Sequence, residues 1–263
     1  MKNLIYTFAL LFLAVCTQAQ QFEGTIKWSF KSDFELSEEQ MQQMAAARKQ
    51  LEMQLNNPEF KKQMEANPQL KKMVEQQAKV LESMGDKGMA GLFPESMIVK
   101  IKGQNARTII DESKETLYLG SSGKQYELNP KEKTYRELSY ATQENDQLKN
   151  TFEVQKTSET TTIAGYKCTK FYLTSKDPQL AAGKEMKQVL WVTTELNLDA
   201  RFLKQASKGG NANWFYDQVE GIPMRIEVSI PQGNITMEAT EVTKGKVSDA
   251  EFEIPAGYKA IEP

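Results

Sequence analysis

The sequence predicts an α+β protein, an antiparallel sheet covered by helices, with a long helical insertion after the first strand. Three observations predict it. Residues 22–31 alternate strictly, with Phe22, Gly24, Ile26, Trp28 and Phe30 on one face and Glu23, Thr25, Lys27, Ser29 and Lys31 on the other. Period two over that length marks a strand with one buried and one wet face. The period then switches to three and four between Ser37 and Met84, and from Met97 onward it returns to two.

The helical segment announces its own boundaries. Ser37 followed by Gln40 is a capping box, and Met41, Met44, Leu51 and Leu55 follow at three- and four-residue steps. Asn57-Pro58 and Asn67-Pro68 each set a capping side chain before a proline suited to a first helical turn. The segments they open, NPEFKK and NPQLKK, are near copies. Two successive helix starts predict a bent, segmented arm over about residues 37–90, ended by Gly85, Gly88 and Gly91 with Pro94 beyond. Eight basic and eight acidic residues between Ser37 and Lys87 balance its charge, and seven of the chain's 12 methionines lie between Met41 and Met89. Methionine suits surfaces that accept variable apolar partners. The arm therefore either packs on the sheet or serves as a lid over a ligand.

Short strands follow near residues 97–102, 107–111, 116–119, 124–128 and 134–138, separated by Ser121-Ser122-Gly123 and Asn129-Pro130-Lys131. Regular strands with short turns indicate an antiparallel meander. Residues 140–150 are a polar loop or a short helix. Residues 161–173, TTIAGYKCTKFYL, read as one long strand with a kink or bulge at Gly165. Residues 188–193 read as an interior strand, and 195–207 as a short helix carrying Leu196, Leu198, Phe202 and Leu203. A hairpin follows, with Met224, Ile226, Val228 and Ile230 on one arm and Ile235, Met237 and Ala239 on the other.

Residues 1–19 read as a secretory leader: Lys2, an apolar run from Leu4 to Cys16, and Thr17-Gln18-Ala19 before the cut. The run is well short of the ~20 residues that span a bilayer. An alternative is lipoprotein processing at Cys16, where Val15 is a large residue for the preceding position. The expectation is an exported, periplasmic protein with no transmembrane span, residues 20–263 forming one domain. Loss of Lys2 moves the formal charge from −2 to −3, which gives no signal for nucleic acid. Of the two cysteines, Cys168 is left without a partner, so a disulfide framework is excluded.

There is no histidine. Ser-His-Asp and Cys-His activation and histidine-bearing zinc sites are absent with it. The acids and lysines are scattered, so the chain reads as a non-enzyme that calls for no metal and no cofactor.

Gly165-Tyr166-Lys167-Cys168-Thr169-Lys170, followed by Trp191-Val192-Thr193, resembles an exported bacterial family, domain-of-unknown-function family 4412, grouped with the LolA/LolB lipoprotein carriers. The ending FEIPAGY at residues 252–258 resembles it too. The resemblance implies an unclosed, strongly curved sheet over helices with an apolar cavity between them. In those carriers the cavity holds acyl chains. The expected ligand is lipid-like or acylated. Trp28 and Phe30 would contact it from the sheet, and Leu51, Leu55, Met64 and Met73 from the arm. Trp191 and Trp214 are the further candidate contacts. The alternative is a cell-envelope interaction module whose arm docks a protein partner.

Overall fold

The computed structural model describes residues 21–34, 37–84, 91, 93–138, 152–175, 187–198, 219–230 and 233–261. Five expectations lie outside the described residues: the leader, the end of the arm at Gly85 and Gly88, the 140–150 stretch, Phe202 with Leu203, and Trp214.

The sheet holds 12 strands. In chain order they are β1 (Gly24–Ser32), β2 (Ser96–Lys102), β3 (Asn105–Ile110), β4 (Lys114–Leu119), β5 (Lys124–Asn129), β6 (Thr134–Glu137), β7 (Phe152–Ile163), β8 (Tyr166–Ser175), β9 (Lys187–Thr193), β10 (Ile222–Ile230), β11 (Gly233–Lys244) and β12 (Lys259–Ala260). Between β1 and β2 stand α1 (Glu38–Asn56), α2 (Pro58–Ala66) and α3 (Pro68–Met84). The spatial order is β12-β6-β5-β4-β3-β2-β1-β11-β10-β9-β8-β7, so β12 and β7 are open edges. Every pairing is antiparallel except β12 with β6. The first strand pairs with the last long one, β11, joining residues more than two hundred apart (Gly24 with Lys244).

The sheet is strongly curved and unclosed. β11 touches β7 although β10, β9 and β8 stand between them. The Lys244 ammonium, on β11, lies 5.3 Å from the Tyr166 ring at the start of β8. Bulges in β11 (at Thr240), β7 and β10 add local twist.

Strand register sorts the side chains by face. Phe30, Met237, Ile226, Leu190 and Phe171 form one cross-strand row. Ser29, Glu238, Arg225, Trp191 and Lys170 form the next, pointing the other way. The apolar face gathers Phe22, Ile26, Trp28 and Ile101 with Ala239 and Met224, and passes into a second cluster of Phe171, Leu173, Leu190 and Val192. The polar face carries ion pairs such as Lys27–Glu241 at 2.8 Å. Over β4 and β5 this face is covered by the C-terminal segment, whose Phe252 is buried against Leu117 and Leu128.

The predicted helix starts at Ser37, Asn57 and Asn67 are observed. Ser37 Oγ accepts from the Gln40 N–H at 3.2 Å, and Gln40 Oε1 accepts from the Ser37 N–H at 2.9 Å. Asn57 Oδ1 caps α2 through Glu59 N at 2.8 Å, and Asn67 Oδ1 caps α3 through Gln69 N at 3.1 Å. The three helices pack on one another, and Arg48 Nη2 on α1 donates to the Leu81 carbonyl on α3 at 3.0 Å. Leu51 and Val74 are buried, yet neither belongs to the apolar clusters of the sheet. Met41, Met53 and Met73 are 51–59% exposed.

Two local readings are corrected. Residues 161–173 are not one kinked strand. Ala164 and Gly165 both have positive φ, 47° and 86°, and form a two-residue hairpin turn of the kind that matches strand twist. Thr161 accordingly faces Cys168 across the β7–β8 ladder. Residues 195–198 are also not helical; they run as bends and extended chain that bury Leu196 and Leu198 in the main core. Apolar spacing alone does not distinguish a helical turn from a core-lining loop.

Candidate functional site

The pleat of β7, β8 and β9 builds a cavity of about 520 Å³ whose lining changes character along the strands. Along β8, Phe171, Thr169 and Lys167 point into it at two-residue steps. Thr169 pairs with Val192 of β9, and Phe171 with Lys156 of β7. Val154, Phe171 and Val192 form the apolar end, continuous with buried Leu173 and Leu190. Lys167, Thr194, Glu195 and Glu220 form the charged end. The Lys156 ammonium sits 5.8 Å from the Phe171 ring centre at the margin.

The charged corner is held in place. Glu195 Oε2 accepts from the Lys167 N–H at 3.2 Å, and the Glu195 N–H donates to Thr193 Oγ1 at 3.1 Å. Thr193 is fully buried. Gly221, beside Glu220, packs its bare Cα against the Thr193 carbonyl, where a Cβ would lie 2.4 Å from that oxygen. Glu195 also lines a second cavity of about 470 Å³ with Gln21, Phe22, Asn197, Lys244 and Lys246.

The structure distributes the eight predicted contacts unevenly. Trp28 is buried in the main cluster, against which Phe30 and Trp191 pack. Trp191 belongs to the polar row: its indole N–H donates to Glu227 Oε1 at 3.1 Å, and the Lys170 ammonium lies 5.4 Å from its ring. The Tyr172 hydroxyl and then the Glu159 carboxylate hold Lys170 above the usual lysine range. Leu51 is buried, Leu55 and Met64 are half-buried, and Met73 is exposed, all within the arm. None of the seven described candidates lines either cavity. The residues that do line the first one were visible as the Lys167-x-Thr169-x-Phe171-x-Leu173 gradation. Reading Gly165 as a kink concealed which strand lay beside it.

Cys168 is buried at the turn end of β8, its thiol 3.5 Å from the Tyr166 carbonyl. Burial raises the thiol from 9.0 to about 11. The folded state thus prefers the neutral form, and the unfolded chain ionises first. Stability from this group is intact below pH 9 and is lost as pH rises from 9 to 11, by about 2–3 kcal/mol. Denaturant titrations at pH 8 and pH 11 should show that loss in the native protein and not in Cys168→Ala, which costs about 1 kcal/mol at the lower pH. Equal pH slopes would refute it.

One open, curled antiparallel sheet with a capped helical insertion defines an α+β protein whose sheet carries a cavity graded from apolar to charged. The chain belongs to the family described as Domain of unknown function (DUF4412), whose model matches residues 94–258, more than half of it. No curated protein matches. Among solved structures, PNGF-II in space group P21 aligns with a TM-score of 0.38 at 17% identity, covering 64% of this chain and 28% of that one. The chain thus spans under a third of that protein's length. The Mycobacterium tuberculosis lipoprotein LppX aligns with a TM-score of 0.34 at 10% identity over 86% of this chain and 90% of that one. LprF from Mycobacterium bovis aligns at 0.27 and 14% identity, over 59% and 80%. No helix among the described residues is long and apolar enough to cross a membrane.

Proposed function

We propose that the protein is a non-enzymatic, exported binding protein that holds a lipid-like or acylated ligand against the apolar face of its sheet. The polarity gradient of the β7–β9 cavity carries this reading. An acyl chain laid over Val154, Phe171 and Val192 removes apolar surface from water, at about 25 cal/mol per Å². A polar end then rests beside Thr169, Lys167 and Glu195. Trp28 and Phe30 extend the same face beyond the cavity. Export rests on the leader read in residues 1–19.

A fluorescent fatty acid titrated into the purified protein should bind saturably. Val154→Glu, at a half-buried position on edge strand β7, should weaken uptake about tenfold or more by setting a charge in the acyl path, with little change in melting temperature. Absence of uptake by the native protein would sink the proposal.

A second reading, an envelope interaction module, is favoured by the arm. Its helices pack on one another and leave Met41, Met53 and Met73 in solvent. Excising residues 35–92 and joining the β1–β2 hairpin with a short turn separates the two. Uptake retained assigns binding to the sheet; uptake lost makes the arm a lid, contributing Leu51, Leu55, Met64 or Met73.

A further inference from the structure

The arm buries little for its length. Its helices run 19, 9 and 17 residues, yet only Leu51 and Val74 among its described residues are buried. α2 buries none, and Met41, Met53, Met73 and Val80 are 47–59% exposed. The helices pack chiefly on one another, and no described arm residue joins an apolar cluster of the sheet. A helix as short as α2 is marginal in water without packing. A segment with so few buried apolar contacts opens at lower free energy than the core beside it.

Beneath the arm, the sheet is fastened by groups outside α1–α3. The chain leaves β1 through Asp33 and Phe34 and returns to β2 through Phe93 and Glu95. The Phe34 and Phe93 rings stack with centroids 5.5 Å apart. The Asp33 carboxylate accepts from the Asn234 backbone N–H and, at 2.8 Å, from its side-chain amide. The Asp33 N–H donates to the Asn234 carbonyl at 3.1 Å. On the returning side, Asp111 Oδ1 accepts from the Glu95 and Ser96 N–H groups, both at 2.9 Å. The Phe30 N–H donates to the Glu95 carbonyl at 3.0 Å. Two charge-assisted clusters of bonds and a ring stack therefore tie both ends of the insertion to β11, to the β3–β4 turn and to each other.

We infer that the arm is a separate cooperative unit, an order–disorder element whose three helices form and melt together while this root holds β1 and β2 in place. Leu51 on α1 and Val74 on α3 are the buried side chains of the unit, and the Arg48 bond to the Leu81 carbonyl joins the same two helices. A molecule that binds one state of the arm shifts its population without rearranging the sheet.

Hydrogen exchange read by mass spectrometry, on the chain from residue 20 onward, tests this without any ligand. Mid-helix amides of α1, α2 and α3 should share one protection factor, at least about a hundredfold below that of β1 and β11. Leu51→Ala should lower protection at least about tenfold in all three helices, and leave β11, which reports the folded sheet, unchanged. Asp33→Ala with Asp111→Ala should lower protection in β2 and the end of β1, because opening of the arm then spreads into the strands. Equal protection of arm and sheet in the native protein would overturn the separate unit. Loss confined to α1 in Leu51→Ala would show independent helices and overturn the cooperativity. Loss reaching β11 would make the arm part of the sheet's core. Unchanged protection of β2 in the double variant would overturn the part given to the root.

Discussion

Replacing Arg107 with methionine should destabilise the protein by about 3–5 kcal/mol, the usual cost of breaking a covered ion pair from one side. Arg107 stands on β3 with Glu115 beside it on β4, and their side chains are 11% and 14% exposed. Its Nε and Nη2 both donate to the same Glu115 oxygen. Nη1 donates to the Glu251 carbonyl at 3.1 Å, which ties the C-terminal segment over the β4–β5 apolar patch. Methionine fills much of the same space but leaves Glu115 without its cation and Glu251 without its donor. Denaturant unfolding gives the loss directly. The double change Arg107→Met with Glu115→Leu should recover most of it, because no charge is then stranded. A single-variant loss under about 1 kcal/mol would show the pair to be solvated and the argument wrong.

Gly221→Ala should cost about 2–4 kcal/mol by two routes that add. The residue has φ 113°, a region that L side chains rarely occupy, and such strain costs of order 1–3 kcal/mol. A Cβ there would also lie 2.4 Å from the Thr193 carbonyl oxygen and 2.9 Å from Val192 Cγ1. Backbone must move, and β9, which ends at Thr193, runs directly into Thr194 and Glu195 at the charged end of the cavity. Thermal unfolding should show the loss, and ligand uptake should weaken with it. Gly123→Ala is the matched control: its φ is 66°, but nothing lies within 4 Å of the added atom. It should be milder and leave uptake unchanged. Equal losses at both positions would remove the close approach as a cause.

The arm shows how far local chemistry is legible. A serine with glutamine three residues on and two Asn-Pro pairs act within one turn of helix, so their capping bonds form wherever the chain is placed. The segmented arm expected from them is three helices, α1, α2 and α3. What its apolar stripe meets was not legible. Periodicity says that Leu51 and Leu55 share a side, and nothing in it says whether that side faces a sheet or other helices. The exposure of Met73 and the burial of Val74 follow from how α3 folds back on α1.

The sheet divides in the same way. Strict alternation in β1 and the β10–β11 hairpin was readable because the pleat has period two regardless of neighbours. The misreading at Gly165 arose because positive φ at Ala164 is invisible in a sequence, and two strands joined by two residues have the composition of one long strand. Sequence alone thus determined the helix starts, most of the strands and the absence of histidine. The tertiary structure decided the rest: that β1 pairs with β11, that β7 curls back to touch β11, and that Glu195 lines one cavity with Lys167 and another with Lys244. Capping bonds and pleat act between residues a few positions apart. The first cavity joins residues as far apart as Val154 and Glu220, the second Gln21 and Lys246, and their meeting depends on the register and curvature of the whole sheet.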